Sequence, residues 1–270
     1  MKWGGRLAAA GLMVGCLMPS GHASDADSQG ATKTPVLVEL FTSEGCSSCP
    51  PADALLQAID REQPIAGAQV IVLSEHVDYW DHDGWRDPFS SHEVTARQDA
   101  YAARFSQDSA YTPEAVIDGA KGLVGSDRRG LASAIEEAAQ RHKAEIEITA
   151  EQRSGGAVTA NVVVQSLPKA DLYAALADDH DQSSVGGGEN SGRQLTHVAV
   201  VRVIQKVGSL SNGFSGPVHV ALPGVALPEH PQALRLVIFA QERGTGRILG
   251  VSQVILRPAG ERTQQQTQSS

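Results

Sequence analysis

The feature that most constrains the fold of this chain is a pair of cysteines, Cys46 and Cys49, set between an apolar run and two consecutive prolines. Residues 36–42 (VLVELFT) are apolar and β-branched, which predicts a buried strand. The prolines suit the first turn of a helix, where a missing backbone N–H costs no hydrogen bond. Residues 69–74 predict a second buried strand. The pattern therefore predicts a β-α-β unit with the cysteines at the carboxyl end of its first strand, where open α/β sheets carry their sites.

The same α/β pattern continues through the first half of the chain. Helical periodicity is present at residues 91–106 and again at residues 128–142. Ser90 and Glu93 fit a capping box at the start of the first of these helices. A short strand is predicted between the two helices at residues 115–118.

The second half of the chain has a different texture, because β-rich runs replace the helical patterns. Seven short runs separated by turn-rich connections predict a β-sandwich. We therefore predict a fold with an α/β domain at residues 35–143, followed by an all-β, sandwich-like domain at residues 144–258. Residues 178–193 are rich in Asp, Ser and Gly and are predicted to form a mobile hairpin loop. The Gln-rich end, residues 259–270, is predicted to be a disordered tail.

The N-terminal residues have the pattern of a secretion signal. A positively charged start precedes an apolar run of about a dozen residues, which is too short to cross a bilayer of roughly 30 Å. Small residues before position 24 predict a signal peptide at residues 1–23 and a linker at residues 24–34. Export predicts a periplasmic or extracellular location, where disulfides persist. Cys16 lies in a stretch that resembles a lipid-attachment box, so lipid anchoring there is an alternative.

Charge and motifs exclude several classes of partner. The net charge is −9, and no basic cluster is present to neutralise phosphates, so nucleic acid is not expected as a partner. Neither a G-x-G-x-x-G nor a P-loop motif occurs, so no organic cofactor is predicted. No transmembrane segment is predicted.

The two cysteines have the spacing of a dithiol–disulfide redox site. Unpaired N–H groups at a helix N-terminus favour the thiolate, which is the attacking species. Cys46, nearer the strand end and expected to be the more exposed, is the predicted nucleophile, and Cys49 is predicted to resolve the mixed disulfide. The partner would be a protein or a small molecule that carries a thiol or a disulfide. A purely stabilising disulfide is the alternative, but so short a loop contributes only about 2 kcal/mol, against about 4–5 for a loop of a hundred residues.

A metal-binding role is a further alternative. The chain has histidines and aspartates crowded into residues 76–92, with His76 the foremost candidate ligand. Soft thiolates suit Cu(I), so copper enters only under this alternative. The chain would then be a non-enzymatic binding module for copper or for a protein partner. A structural zinc site is disfavoured, because it needs four ligands and no second C-x-x-C is present.

Four stretches of the first half carry a family resemblance: residues 38–53 (VELFTSEGCSSCPPAD), 76–91, 95–102 and 111–119 (YTPEAVIDG). The chain resembles the thioredoxin-like superfamily and, more closely, the uncharacterised bacterial secreted family called domain of unknown function 1223. The resemblance implies a thioredoxin-like domain with Cys46, Cys49 and Pro113 as active-site positions. It also implies that Pro113 follows a cis peptide bond, and that Tyr111, Thr112 and Pro113 offer backbone groups to an extended substrate. It implies no established activity.

Two tryptophans lie just beyond the second predicted strand, and each has two interpretations. Trp80 and Trp85 either cover the helix of residues 91–106 or form an apolar rim that receives a partner near the cysteines. We group them with Tyr111, Thr112 and Pro113 as candidate substrate-binding residues. The sequence thus predicts an exported thiol–disulfide oxidoreductase acting through Cys46 and Cys49, with a non-enzymatic binding module as the alternative.

Overall fold

The computed structural model describes the chain in four stretches, residues 33–82, 84–152, 157–223 and 233–257. The predicted signal peptide, the lipid-attachment cysteine Cys16, most of the linker and the C-terminal tail lie outside these stretches. None of the helices within the described stretches is long and apolar enough to cross a membrane.

The first half alternates strands and helices, as the sequence predicts. Its elements are β1 (Thr34–Thr42), α1 (Pro50–Glu62), β2 (Ala68–His76), α2 (His92–Phe105), β3 (Glu114–Ile117), β4 (Lys121–Val124) and α3 (Arg128–Ala139). β1 pairs in parallel with β2 from Thr34↔Ala68 to Thr42↔His76, and β3 runs antiparallel to β1 on its other side. The predicted β-α-β unit is therefore present, and the cysteines follow the carboxyl end of β1.

The start of α2 differs by one residue from the predicted capping box. The N-cap is Ser91, whose Oγ accepts a hydrogen bond from Val94 N at 3.2 Å. The hydroxyl of Ser90 instead donates to Asp81 Oδ2 at 2.8 Å. The pattern indicated the helix correctly, but adjacent serines leave the choice of cap to tertiary contacts.

The second half contains a strand at each of the predicted runs. They are β5 (Ile146–Gln152), β6 (Val158–Leu167), β7 (Ala170–Ser184), β8 (Gln194–Leu210), β9 (Phe214–Leu222), β10 (Leu234–Glu242) and β11 (Ile248–Leu256). Because β7 and β8 stay paired as far as Ser184↔Gln194, residues 178–184 of the predicted mobile loop are strand. The connection is residues 185–193, so the prediction of a loop is wrong for residues 178–184. Polar residues that alternate between exposed and covered positions are compatible with a strand pair, although their composition is typical of a loop.

The predicted fold class is wrong, because strands of both halves share one sheet. The eight-stranded sheet has the order β11-β10-β7-β8-β2-β1-β3-β4, and β5-β6-β9 form a separate three-stranded sheet. The halves join where β2 and β8 pair in parallel at Ser74↔Val200. The structure is therefore mostly β, rather than an α/β thioredoxin-like domain followed by a separate sandwich. The predicted boundary at residues 143–144 stays a prediction about folding units, since shared pairing does not measure independent stability.

Apolar side chains cover both faces of this sheet. On β7, Ala175 and Ala177 belong to the core that packs around β1, β2, α1 and α3, whereas Leu172 and Leu176 belong to the core of the second half. Successive side chains of a strand point to opposite faces, so one strand supplies both cores. β10 does the same and is buried over nearly its whole length. A site at the end of β1 consequently lies in a sheet that also contains strands of the second half of the chain.

Candidate functional site

The two cysteines form a disulfide in a tight turn between β1 and α1. Cys46 and Cys49 are bonded to each other. Cys46 N donates to Ser43 O at 3.2 Å, and Cys49 N donates to Cys46 O at 3.2 Å. Cys49 is the N-cap residue of α1, and its carbonyl accepts from Ala52 N at 2.8 Å and from Asp53 N at 3.1 Å. The disulfide thus sits where a strand end and a helix N-terminus meet, as the sequence predicts.

Both members of the disulfide are closed off from solvent. Cys46 and Cys49 are each 0 % exposed, while Ser47 and Ser48 between them are exposed. The expectation that Cys46 is the more exposed of the two is therefore wrong. We call residues 185–193, the connection between β7 and β8, the hairpin tip.

The hairpin tip is bonded to the backbone of the cysteine turn. Asn190 Nδ2 donates to Glu44 O at 2.8 Å and to Cys46 O at 2.9 Å, and the Asn190 side chain is completely buried. Ser47 N donates to Glu189 Oε2 at 3.0 Å. Buried backbone groups must find partners, so these contacts tie the tip to the turn. The composition of residues 178–193 predicts a mobile loop, so it gives no signal for these contacts.

Glu44 is a buried carboxylate that connects three parts of the site. Its Oε2 accepts from Trp85 Nε1 at 2.9 Å, and its Oε1 accepts from the hydroxyl of Ser183 on β7. His197 Nε2 on β8 lies 3.3 Å from the same Oε1. Glu44 is 0 % exposed, so each of these donors offsets the cost of burying its charge.

A buried histidine–carboxylate pair lies next to Glu44. His76 Nδ1 donates to Asp87 Oδ2 at 2.7 Å, and Glu44 N donates to the same oxygen at 2.8 Å. Burial alone would lower the pKa of His76, but the negative charges of Asp87 and Asp53 outweigh it and raise that pKa. Burial alone would raise the pKa of Asp87, but the charge and hydrogen bond of His76 hold it below its ordinary value. The two shifts favour a charged pair.

His76 was the candidate metal ligand, and its ring makes local contacts instead. Besides Asp87, it approaches Ser74 Oγ at 3.4 Å and packs edge-on against Phe89 and His197, with ring centroids 5.3 and 4.7 Å away. In the four described stretches, no group of three or more His, Cys, Asp or Glu side chains is arranged to hold a metal ion. His76 is therefore engaged in a buried pair with Asp87.

Four buried polar atoms of the site have no hydrogen-bond partner among the described residues: Thr42 Oγ1, Asp53 Oδ1, Asn190 Oδ1 and His197 Nδ1. Asp53 lies on the buried face of α1, one turn beyond Cys49, and His197 is on β8. Burial raises the pKa of the Asp53 carboxyl, against the opposing positive charges of His197 and His76. An acid that burial keeps protonated to higher pH is placed one helical turn from a cysteine.

The Thr112-Pro113 peptide bond is cis, as the resemblance implies. Thr112 Oγ1 accepts from Trp80 Nε1 at 2.8 Å, and Trp80 lies against Gly45, where an added Cβ would be 3.1 Å from Trp80 Cβ. Trp80 thus links the segment before Pro113 to the turn that carries Cys46. Tyr111 is half-buried, and its carbonyl accepts from Gln98 Nε2 at 2.7 Å.

The candidate substrate-binding residues fall into two positions. Trp80, Thr112 and Pro113 are joined through the contacts above. Trp85 lies on another side, where it donates to Glu44 and meets Gly186 of the hairpin tip, at which an added Cβ would be 3.0 Å from Trp85 Cζ3. Both indole rings are half-buried with their N–H groups bonded, so neither is a freely exposed rim.

Comparisons with known proteins identify a family and a similar structure. Residues 37–241 match the model of a family described as protein of unknown function (DUF1223). The crystal structure of protein AGR_C_4864 from Agrobacterium tumefaciens is similar at TM-score 0.62 and 26 % identity, over 82 % of this chain and 94 % of that chain. A mutant β-glucuronidase 2 from Bacteroides uniformis matches 42 % of this chain and 13 % of its own at 16 % identity and TM-score 0.23, too weakly to support an argument. No curated protein matches the chain.

Proposed function

The chain belongs to the family of proteins of unknown function DUF1223, and from that premise we propose that it carries out thiol–disulfide exchange through Cys46 and Cys49. The observation that carries the proposal is the disulfide between these residues at the junction of β1 and α1. Helix N-terminal N–H groups stabilise a thiolate that is released there. The pair therefore has the local environment that a reversible disulfide needs.

The exchange proceeds in two balanced steps. A partner thiolate attacks Cys46 Sγ, so that the Cys46–Cys49 bond breaks, a partner–Cys46 disulfide forms, and Cys49 leaves as a thiolate that takes up a proton. A second partner thiolate then attacks the partner sulfur and releases Cys46, which also takes up a proton. Two electrons pass from the partner dithiol to the protein. In the reverse direction Cys46 attacks a partner disulfide and Cys49 resolves the intermediate.

The cis-proline segment supports a place for the partner chain. Thr112 and Pro113 are tied to the cysteine turn through Trp80, so backbone groups of Tyr111 and Thr112 are candidates for holding an extended substrate. Trp80 and Trp85 would contact its side chains. We place the reaction outside the cytoplasm, because the N-terminal sequence has the pattern of a secretion signal.

A binding role without turnover is the second candidate, and the complete burial of both cysteines favours it. In that role the disulfide would brace the turn while Trp80, Trp85 and the hairpin tip receive a partner. Copper handling belongs to the same candidate and would require the reduced thiols as ligands.

Single cysteine variants separate the two functions. Exchange predicts that the Cys46 thiolate of Cys49→Ser attacks a peptide disulfide, releases one peptide thiol and stays in a mixed disulfide that nothing resolves, whereas Cys46→Ser forms little or none. The measurement is mass spectrometry after incubation with a peptide disulfide, together with titration of the wild-type dithiol in glutathione redox buffers. A disulfide that no glutathione ratio reduces, together with no adduct in Cys49→Ser, would refute the exchange function. A stoichiometric metal complex of the reduced protein would favour the second candidate.

A further inference from the structure

The hairpin tip directs its polar side chains to the cysteine turn rather than to its own backbone. The Asn190 amide donates to Glu44 O and Cys46 O, and the Glu189 carboxylate accepts from Ser47 N. These backbone groups flank the disulfide, and Cys46 O accepts from Cys49 N at 3.2 Å as well. A group that reaches the sulfurs from this side must first displace the tip.

The contacts of the tip imitate those of a bound polypeptide. Two backbone acceptors and one donor in a short turn are the groups that an extended chain satisfies with its own N–H and C=O groups. The Asn190 amide supplies the same kind of N–H donor as a backbone, and the Glu189 carboxylate supplies an acceptor in place of a carbonyl. The tip therefore occupies positions whose chemistry suits main chain from another molecule.

Close packing holds the tip in that place. A Cβ at Gly187 would lie 2.2 Å from Gly84 O, and one at Gly186 would lie 3.0 Å from Trp85 Cζ3. The tip therefore approaches the segment before Asp87 as closely as glycine permits. Asn190 and both cysteines are completely buried.

We infer that Asn190 determines which thiols reach the disulfide, an inference that rests on the proposed exchange function. A small thiol offers no backbone groups, so it reacts only when the tip opens by itself. A cysteine in an extended polypeptide segment satisfies Glu44 O, Cys46 O and Ser47 N as it displaces the tip. The favoured partner is therefore a polypeptide thiol or disulfide rather than a small one.

The test compares rates of disulfide reduction in full-length oxidised protein. Asn190→Ala removes both amide donors and should raise the rate constant for dithiothreitol by about tenfold or more. Asn190→Asp keeps the side-chain size but sets a carboxylate against two carbonyl oxygens, so it should release the tip without a cavity. Gln182→Ala is the matched control, because this exposed amide of the same hairpin donates to Gln194 Oε1 at 3.0 Å and its loss should change the rate by less than about twofold.

A second arm uses a synthetic unstructured peptide dithiol as the probe. The wild type should react faster with the peptide than with dithiothreitol at equal thiolate concentration, and Asn190→Ala should reduce that preference. Equal dithiothreitol rates in the wild type and both Asn190 variants, with melting temperatures unchanged, would overturn the inference while leaving exchange intact. A different result would refute the proposed function and retain the role of Asn190 in access. In that result, dithiothreitol reduces the disulfide of the Asn190 variants faster than that of the wild type, but neither the wild type nor a variant exchanges with the peptide dithiol.

Discussion

At the scale of single residues, the site is organised by Glu44, a carboxylate two positions before Cys46. Its bonds to Trp85, Ser183 and His197 connect the cysteine turn to β7 and β8. Glu44 lies within the stretch that carries the family resemblance, yet its burial cannot be read from that stretch. The donors that make burial tolerable lie more than forty positions away or in the opposite half of the chain, and their approach depends on the sheet.

The buried pair of His76 and Asp87 predicts a pH-dependent contribution to stability. The pKa of His76 is raised, so its share is complete below the unfolded value near 6.5 and is lost as pH rises through the folded pKa. The pKa of Asp87 is lowered, so its share is present above about 3.9 and is lost as pH falls through the folded pKa. Asp87→Asn should therefore cost about 3 kcal/mol of unfolding free energy between these limits, and less at alkaline pH. Urea denaturation across pH measures the difference.

An exposed histidine–aspartate pair supplies the control for that prediction. His92 Nδ1 lies 3.4 Å from Asp78 Oδ2, but the His92 side chain is 84 % exposed. His92→Gln should change the unfolding free energy by less than about 0.5 kcal/mol at any pH. A cost of Asp87→Asn that stays constant from acid to alkaline pH would show that the pair is not ionised as described.

At the scale of elements, the hairpin of β7 and β8 separates what the sequence indicates from what it does not. The β-rich runs at residues 171–177 and 195–206 predict strands, and both are found. The polar continuation (DDHDQSSVGGGEN) has a composition that predicts a loop. The strand geometry of residues 178–184 follows from pairing with β8, and the tip is held by contacts with the cysteine turn, both of which are tertiary. Composition indicates which residues favour solvent. It does not indicate which distant backbone groups the side chains of a loop will hydrogen-bond.

The fit of the hairpin tip against Gly84 predicts the effect of one added methyl group. Gly187→Ala would place a Cβ 2.2 Å from a backbone oxygen that cannot rotate away, so the tip must shift. Gly187 does not have a positive φ, so the effect is steric alone. Because the shift weakens the Asn190 bonds, we expect reduction by dithiothreitol to accelerate by about tenfold. Alkylation of the released thiols measures the rate.

Ser184→Ala is the control for this element, because Ser184 is exposed at the end of β7 and a methyl group fits there. Its reduction rate should equal that of the wild type. If Gly187→Ala also reacts at the wild-type rate while keeping its melting temperature, the tip does not limit access to the disulfide.

At the scale of the whole molecule, the pairing of β2 with β8 is what sequence patterns failed to predict. β2 is buried throughout its length except at Gln69, and a strand covered on both faces and both edges indicates a central position. Which strand lies beside it has no local signal, because Ser74 and Val200 are in different halves of the chain and do not share a turn. The local α/β pattern therefore predicts a self-contained domain. In the structure, four strands of the second half extend the same sheet.

Arg235 tests whether this shared architecture is also a single folding unit. From β10 it reaches Asp60 of α1 with both Nη atoms, at 2.7 and 2.8 Å, and its Nε bonds to Asp179 on β7. Arg235→Gln leaves two carboxylates without their cation and should lower the unfolding free energy by about 3 kcal/mol.

Arg61→Gln is the control. It removes an exposed pair with Glu62 and should cost less than about 0.5 kcal/mol of unfolding free energy. Tryptophan fluorescence reports Trp80 and Trp85 in the first half, and far-ultraviolet circular dichroism reports the helices and strands of both halves. If Arg235→Gln moves both transitions together, the halves unfold as one unit; two separate transitions would retain the boundary at residues 143–144 as a division of stability within a continuous sheet.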